Sequence, residues 1–208
     1  MVCKGNQLNA KDQRRPYDDV APRYDAAMRP LDRWFFARLR ARVLEQLPDQ
    51  GRILEVGAGT GLNFSFYSAN TCGVASEPSW EMLKIASQKV RPEAVRLVQS
   101  DAESLPFEEG LFDAAFATLV FCSVTSPARA FAELRRVVKP GGLIVLLEHV
   151  RPHGPLGLVF DLLNFLTVPL CADHVNRRTA ETAVASGLRP VKVESRLWGI
   201  VNLIQCRV

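Results

Sequence analysis

Residues 54–64 read LEVGAGTGLNF, and the fold turns on them. The apolar run RILEVG (52–57) ends in glycine, and glycines recur at 57, 59 and 61. A short apolar run closed by glycines reads as a buried strand feeding a tight turn. Glycine lets the backbone turn sharply there and come close to a ligand where a Cβ would collide. The sequence then looks helical through Ala69. The N-terminus of that predicted helix would offer free N–H groups to polar or anionic atoms.

Working outward, apolar runs and helical spacings alternate. CGVASE (72–77), VRLVQS (95–100), FDAAFATLVF (112–121) and LIVLLEHV (143–150) read as strands. SWEMLKIASQKV (79–90), with Ser79 as its cap, reads as a helix, as does SPARAFAELRRVVK (126–139), closed by the ProGlyGly of 140–142. Such alternation implies right-handed βαβ units and a parallel sheet covered on both faces. Upstream, residues 31–47 (LDRWFFARLRARVLEQL) place Trp34, Phe35, Leu39, Val43, Leu44 and Leu47 at helical spacing. Asp32 is placed to cap this helix and Pro48 to stop it, with Arg33, Arg38, Arg40 and Arg42 on the remaining surface. Downstream the rhythm changes. Residues 155–171 (PLGLVFDLLNFLTVPLC) are nearly continuous apolar sequence, short of the roughly 20 residues that span a bilayer. A helix there would carry one polar stripe of Asp161, Asn164 and Thr167. Residues 177–187 read as a helix, and PVKVESRLWG (190–199) and IVNLIQCRV (200–208) as two closing strands.

At 208 residues the chain has the size of one domain. The expected division is a mobile start (1–15), a helical cap (16–50), a ligand-binding core (51–150), a hydrophobic insertion (151–176) and a closing helix with strands (177–208). With 48% hydrophobic and 23% charged residues, wholesale disorder is excluded. The five cysteines are scattered singly, which argues against a disulfide framework or a zinc site and for reduced thiols inside a cell. The N-terminal stretch lacks the apolar run of a secretory signal, so a cytoplasmic protein is expected. Residues 1–52 carry 11 Lys/Arg against 7 Asp/Glu, whereas 53–208 carry 15 of each. This basic excess fits either a solvated helix face or contact with an anionic membrane surface. It is too sparse to make nucleic acid a partner.

Acidic residues stand at successive strand ends. Glu77 closes the second strand, 20 residues after Gly57, where a carboxylate would grip both hydroxyls of a ribose. Asp101-Ala102-Glu103 follows the third strand and suits an adenine amino group. The dinucleotide fingerprint GxGxxG would need glycine at position 62, which is Leu62, and no GK[ST] follows the loop. NAD and a P-loop are therefore disfavoured.

On these residues the chain resembles the class I S-adenosylmethionine-dependent methyltransferases, over roughly residues 15–150. It is most similar to the branch that includes the ubiquinone/menaquinone C-methyltransferases. The stretches that carry the resemblance are YDDVAPRYDAAM (17–28), LEVGAGTGLN (54–63), GVASEPSWEMLKIA (73–86), SDAESLPF (100–107), FDAAFATLVFCSV (112–124) and LRRVVKPGGLIVLLEHV (134–150). The resemblance implies a Rossmann-like, doubly wound α/β sheet of seven mostly parallel strands with a C-terminal antiparallel strand. It implies S-adenosylmethionine as cofactor, S-adenosylhomocysteine as product and no metal. Glu55 and Gly57, Ala58, Gly59, Thr60 and Gly61 would hold the methionine end, with Asn63 beside them. Glu77 would hold the ribose. Pro78 and Met82 would pack on the adenine, with Asp101, Ala102 and Glu103 at its edge. Leu119 and Val120 would line the sulfonium side, and Tyr24 would close over the cofactor. Glu77 stands where many relatives carry Asp, and its longer side chain can still reach a ribose. The fourth strand lacks the [DN]PP[YF] of base methylases, which argues against a nucleic-acid substrate.

His149, at the end of the fifth strand, is placed to act as a base on the acceptor, with a locally bonded strand-end histidine as the alternative. Glu148 would orient it or point elsewhere, and His153 is a weaker candidate. Phe121, Phe160 and His174 are candidate substrate contacts. Residues 160–188 also resemble the tail of thiol and bacterial phospholipid methyltransferases. That likeness, with the basic N-terminal helix, points to a small or lipid-like hydrophobic acceptor (a quinone precursor, thiol or phospholipid amine) and to peripheral membrane contact. The alternatives are a protein that binds S-adenosylmethionine without catalysis and an NAD-dependent oxidoreductase.

Overall fold

The computed structural model describes residues 17–151, 177–197 and 199–208. Seven strands form one sheet: β1 (Arg52–Val56), β2 (Cys72–Glu77), β3 (Val95–Gln99), β4 (Phe112–Thr118), β5 (Val138–His149), β6 (Arg189–Arg196) and β7 (Val201–Arg207). Their order is β3-β2-β1-β4-β5-β7-β6, parallel from β3 to β5, with β7 antiparallel to both neighbours. Successive β1-β2-β3 connections run one way and the crossing to β4 runs the other. The crevice between the carboxyl ends of β1 and β4 is therefore the switch point where doubly wound sheets bind ligands.

The alternation of side chains across the sheet builds two apolar layers. Leu54, Val56, Ala115, Ala117, Ile144 and Leu146 face α4 (Pro127–Val137) and α5 (Thr179–Ala185), where they meet Phe131, Leu134 and Ala183. Ile53, Ala114, Phe116, Val145 and Leu147 face the N-terminal helices and meet Phe36, Leu39 and Val43. Strands buried on both faces need this nearly continuous apolar sequence.

The N-terminal helix differs from its expected form. It runs without a break through α1 (Ala21–Leu31), a π turn (Asp32–Phe36) and α2 (Ala37–Leu44). Pro30 lies inside α1, and the Ala37 N–H bonds back five residues to the Asp32 carbonyl. Asp32 therefore does not cap a helix; it lies within one. Arg40 is not on the surface either, at 3% exposure.

No long helix follows the glycine loop. The chain makes turns and a single 3-10 segment (Phe64–Phe66), then becomes extended at Tyr67. Tertiary bonds override helical propensity here. Phe64 packs among Ala58, Ala75, Ala86 and Val95, and the Tyr67 hydroxyl donates to Glu55. By contrast α3 (Trp80–Ser87) begins as expected, with Ser79 Oγ accepting the Met82 N–H at 3.1 Å. β4 stops at Thr118 rather than Phe121 because Leu119 takes a left-handed φ of 59°. α4 ends at Val137 and the ProGlyGly of 140–142 lies within β5, where the β4–β5 register slips between Phe112 and Ala114. The apolar segment 155–171, with His153, Phe160 and His174, lies outside the described residues.

Candidate functional site

A cavity opens at the carboxyl ends of β1, β2 and β4, walled by the loop after β3 and by the N-terminal helix. It gathers most of the residues expected at the cofactor: Tyr24, Gly57 to Thr60, Glu77, Pro78, Met82, Asp101 to Glu103, Leu119 and Val120. Five separate stretches of sequence converge on it. The donors of the loop are its own turn amides, not the start of a helix.

Glu77 anchors one wall. Its Oε2 accepts the Gly59 N–H at 3.0 Å and its Oε1 the Ser79 N–H at 2.9 Å. The carboxylate thereby ties the glycine loop to the start of α3. Burial pushes its pKa up to about 7, against the two N–H bonds that pull it down. Nearby, Ser100 Oγ lines the cavity, buried and without a hydrogen-bond partner among the described residues. Buried polar atoms are rarely left so, and this one fits a site made for a polar ligand.

The opposite wall carries Arg40, which sequence reasoning had assigned to solvent. Its Nε donates to Asp32 at 2.8 Å, and its Nη1 to Asn63 Oδ1 at 2.9 Å and to Thr118 Oγ1 at 2.8 Å. These bonds use three of its five donors. Among the described residues Nη2 has no acceptor, and Arg40 is the single basic side chain on the cavity wall. A π turn ahead of α2 was the missing signal; it is not visible in the hydrophobic spacing alone.

Glu55, Gly61 and Asn63, expected against the cofactor, lie beneath the cavity wall. Asn63 Nδ2 donates to Glu55 Oε1 at 2.6 Å and to Thr118 Oγ1 at 2.9 Å, so both side chains brace Arg40 from behind. Burial raises the Glu55 pKa, opposed by the bonds from Tyr67 and Asn63 and by the charge of Arg40. Glu103 lines the cavity, but its carboxylate accepts the Ser126 N–H at 2.8 Å and so caps α4 from outside. Phe121, expected at the substrate, is fully buried and stacks on Phe131 with ring centroids 4.2 Å apart. His149, expected as a base, is not on the cavity wall; its ring meets Phe36 edge-on at 6.0 Å, on the sheet face opposite Glu148. Glu148 is fully buried and accepts the Val120 and Phe121 N–H groups at 3.0 and 3.1 Å. It thereby pins the turn that holds Leu119 in its left-handed conformation, the kind of strain that surrounding structure must over-determine.

The N-terminal segment is latched over the cavity at two points. Asp18 accepts the Ser79 hydroxyl. Asp25 accepts the Thr60 hydroxyl and pairs with Lys89 Nζ at 2.6 Å. Tyr17 and Tyr24, edge-on at 6.3 Å, lie between these latches on the cavity wall. Burial raises the Tyr24 pKa, which keeps the phenol protonated and a donor.

Two glycines of the loop separate folding from binding. A Cβ on Gly57 would lie 2.4 Å from Val120 Cγ2, whereas one on Gly59 would meet nothing within 4 Å. Gly59 lines the cavity at φ +57°, so alanine there costs about 1–2 kcal/mol of backbone strain. Gly59→Ala is expected to stay folded by circular dichroism while ligand affinity in the cavity drops about tenfold or more.

Residues 54–146 match the family model described as a methyltransferase domain. The chain is 35% identical to the demethylmenaquinone methyltransferase of Renibacterium salmoninarum over 165 residues, covering 76% of this chain and 68% of that protein. It is 38% identical to the phosphatidylethanolamine N-methyltransferase of Cereibacter sphaeroides over 114 residues, covering 52% and 56%. It is 32% identical to the human thiol S-methyltransferase over 142 residues, covering 65% and 57%. Among solved structures, an S-adenosylmethionine-dependent methyltransferase of Thermotoga maritima superposes with a TM-score of 0.71 at 20% identity, covering 92% of this chain and 98% of that one. The strand order, the glycine turn ending β1, the carboxylate ending β2 and 35% identity to a methyltransferase over 68% of its length agree. The chain belongs to the class I S-adenosylmethionine-dependent methyltransferases.

Proposed function

We propose that the cavity holds S-adenosylmethionine between Glu77 and Arg40 and presents its methyl group to a small hydrophobic acceptor. The observation that carries this reading is the placement of one buried carboxylate and one buried guanidinium on opposite walls of a single cavity. Glu77 accepts hydrogen bonds from the two ribose hydroxyls. Arg40 Nη2 donates to the methionyl carboxylate, a charge-assisted contact for which the guanidinium has donors left over. Pro78 and Met82 pack on the adenine, and Asp101 and Ala102 meet its edge. The bound donor supplies a methyl group already activated on a sulfonium. What the chain adds is alignment of an acceptor for in-line attack, the effect that holding two reactants together provides. Leu62, Leu119, Val120 and Val124 give the cavity apolar lining beside the polar ends.

That lining supports a hydrophobic acceptor, as do the relatives, whose names specify a quinone precursor, a phospholipid amine and a thiol. All three are groups carried on, or tolerant of, an apolar body. Incubation with methyl-labelled S-adenosylmethionine and a panel of demethylated quinols, phosphatidylethanolamine and alkyl thiols is expected to move label into the organic phase for one member. Label appearing only in water-soluble acceptors such as polar amines would contradict the reading.

A further inference from the structure

The helix that forms the cavity wall turns a second face outward. On it Trp34 is 82% exposed and Leu31 56% exposed. Arg23, Arg29, Arg33 and Arg38 are exposed on the same helical run, and none has an acidic partner among the described residues. The run's own acids do not offset them. Asp25 pairs with Lys89, and Asp32 pairs with Arg40, both on the inward side. Arg29, Arg33, Trp34 and Arg38 are all exposed, so they lie on the half of the run turned away from the sheet. Phe36, Leu39, Arg40 and Val43 occupy the other, against the sheet and the cavity. The segment is thus amphipathic twice over, with a buried inner face and an outer face of one tryptophan framed by unpaired arginines.

We propose that this outer face, centred on Trp34 and framed by Arg29, Arg33 and Arg38, docks on the anionic surface of a lipid bilayer. Charge complementarity selects the occupant. Arginines without acidic partners are attracted to anionic headgroups, and an indole seats at the headgroup level with its apolar body inward. Among the described residues no helix is long and apolar enough to cross a membrane. Docking would lay the cavity wall that carries Tyr24 and Arg40 against the surface from which a lipid-like acceptor would come. The proposal does not depend on which acceptor is methylated, and its test reads binding alone.

The full chain is mixed with vesicles of phosphatidylcholine alone and of phosphatidylcholine with phosphatidylglycerol, at low and at raised salt, and floated. The expected result is flotation with the anionic vesicles at low salt, lost at high salt because surface charge is screened. Replacing Arg33 and Arg38 together with alanine is expected to lower the partition coefficient about 25-fold, near fivefold for each arginine. Trp34→Ala is expected to weaken binding further and to remove a blue shift of the indole emission that accompanies docking. Each variant is first checked for an unchanged thermal melt and unchanged S-adenosylmethionine binding, since none of these side chains touches the cavity. Absence of flotation of the wild-type chain would overturn the proposal. So would flotation that all three substitutions leave intact, because the contact would then lie elsewhere. Retention of duplex DNA by the same face, without vesicle binding, would overturn it in favour of a nucleic acid partner.

Discussion

Glu77→Ala is expected to weaken S-adenosylmethionine binding at least about 100-fold, with the protein still folded. A hydrogen bond to a charged group is worth about 1.5–3 kcal/mol, and two ribose hydroxyls are to be held by this one carboxylate. The substitution also releases the Gly59 and Ser79 N–H groups that Glu77 now accepts, so the glycine loop loses its tie to α3. Titration gives the same residue a second signature. With its pKa at about 7, Glu77 is largely protonated at pH 6 and largely ionised at pH 8. The ionised form is the one that accepts from ribose, so affinity should be about tenfold weaker at pH 6 than at pH 8. Stability of the ligand-free protein runs the other way. The folded-state value lies above the ordinary 4.5, so Glu77 favours folding below about pH 4.5, and that contribution fades as pH rises through about 7. Glu77→Gln should remove both dependences. Melting curves and calorimetric affinities across pH 5–8.5 check them, and a flat binding profile in the wild type would count against the assignment.

The second large effect concerns Arg40. Arg40→Met removes a buried cation whose partners remain, leaving Asp32 without its ion pair and Asn63 and Thr118 each short of a donor. Breaking a buried pair in this way costs about 3 kcal/mol or more, so a large fall in melting temperature is expected. Arg40→Lys is the sharper probe of binding. Lysine keeps the charge but lacks the planar fork that bonds Asp32, Asn63 and Thr118 and still has a further pair of donors to give. Affinity for S-adenosylmethionine should fall about 30-fold in Arg40→Lys. Decarboxylated S-adenosylmethionine, which has no carboxylate to lose, should bind the wild type and Arg40→Lys equally. An equal loss for both ligands would mean that Arg40 only supports the wall and does not touch the methionyl end.

Glu77 and the glycine turn were legible in the sequence because their determinants are local. A strand, a run of glycines and an acid at the next strand end lie within 26 residues of one another and need no tertiary information. The sheet followed from apolar runs alternating with helical spacing, and the antiparallel end from family resemblance. Arg40 was illegible for a physical reason. Spacing in residues 31–47 assigns arginines to the polar face of a regular helix, but the π turn at Asp32–Phe36 shifts the helix phase, and a buried network then repays the desolvation of one cation. The missing helix after Gly61 has a similar cause. Asn63, Phe64 and Tyr67 each have tertiary partners more demanding than a helical hydrogen bond, and propensity is a weak prior against such contacts. His149 lies off the cavity wall because position at a strand end does not say which face a side chain takes, and Phe121 is buried because β4 ends at Thr118 and the chain turns there.

The most direct test of the account is calorimetric titration of the full chain with S-adenosylmethionine and S-adenosylhomocysteine at pH 8, repeated on Glu77→Ala and Arg40→Lys. The account predicts one binding site per chain with micromolar affinity for both ligands, weakened about 100-fold and about 30-fold respectively for S-adenosylmethionine in the two variants. A folded wild-type chain that gives no binding, or variants that bind as tightly as the wild type, would contradict it.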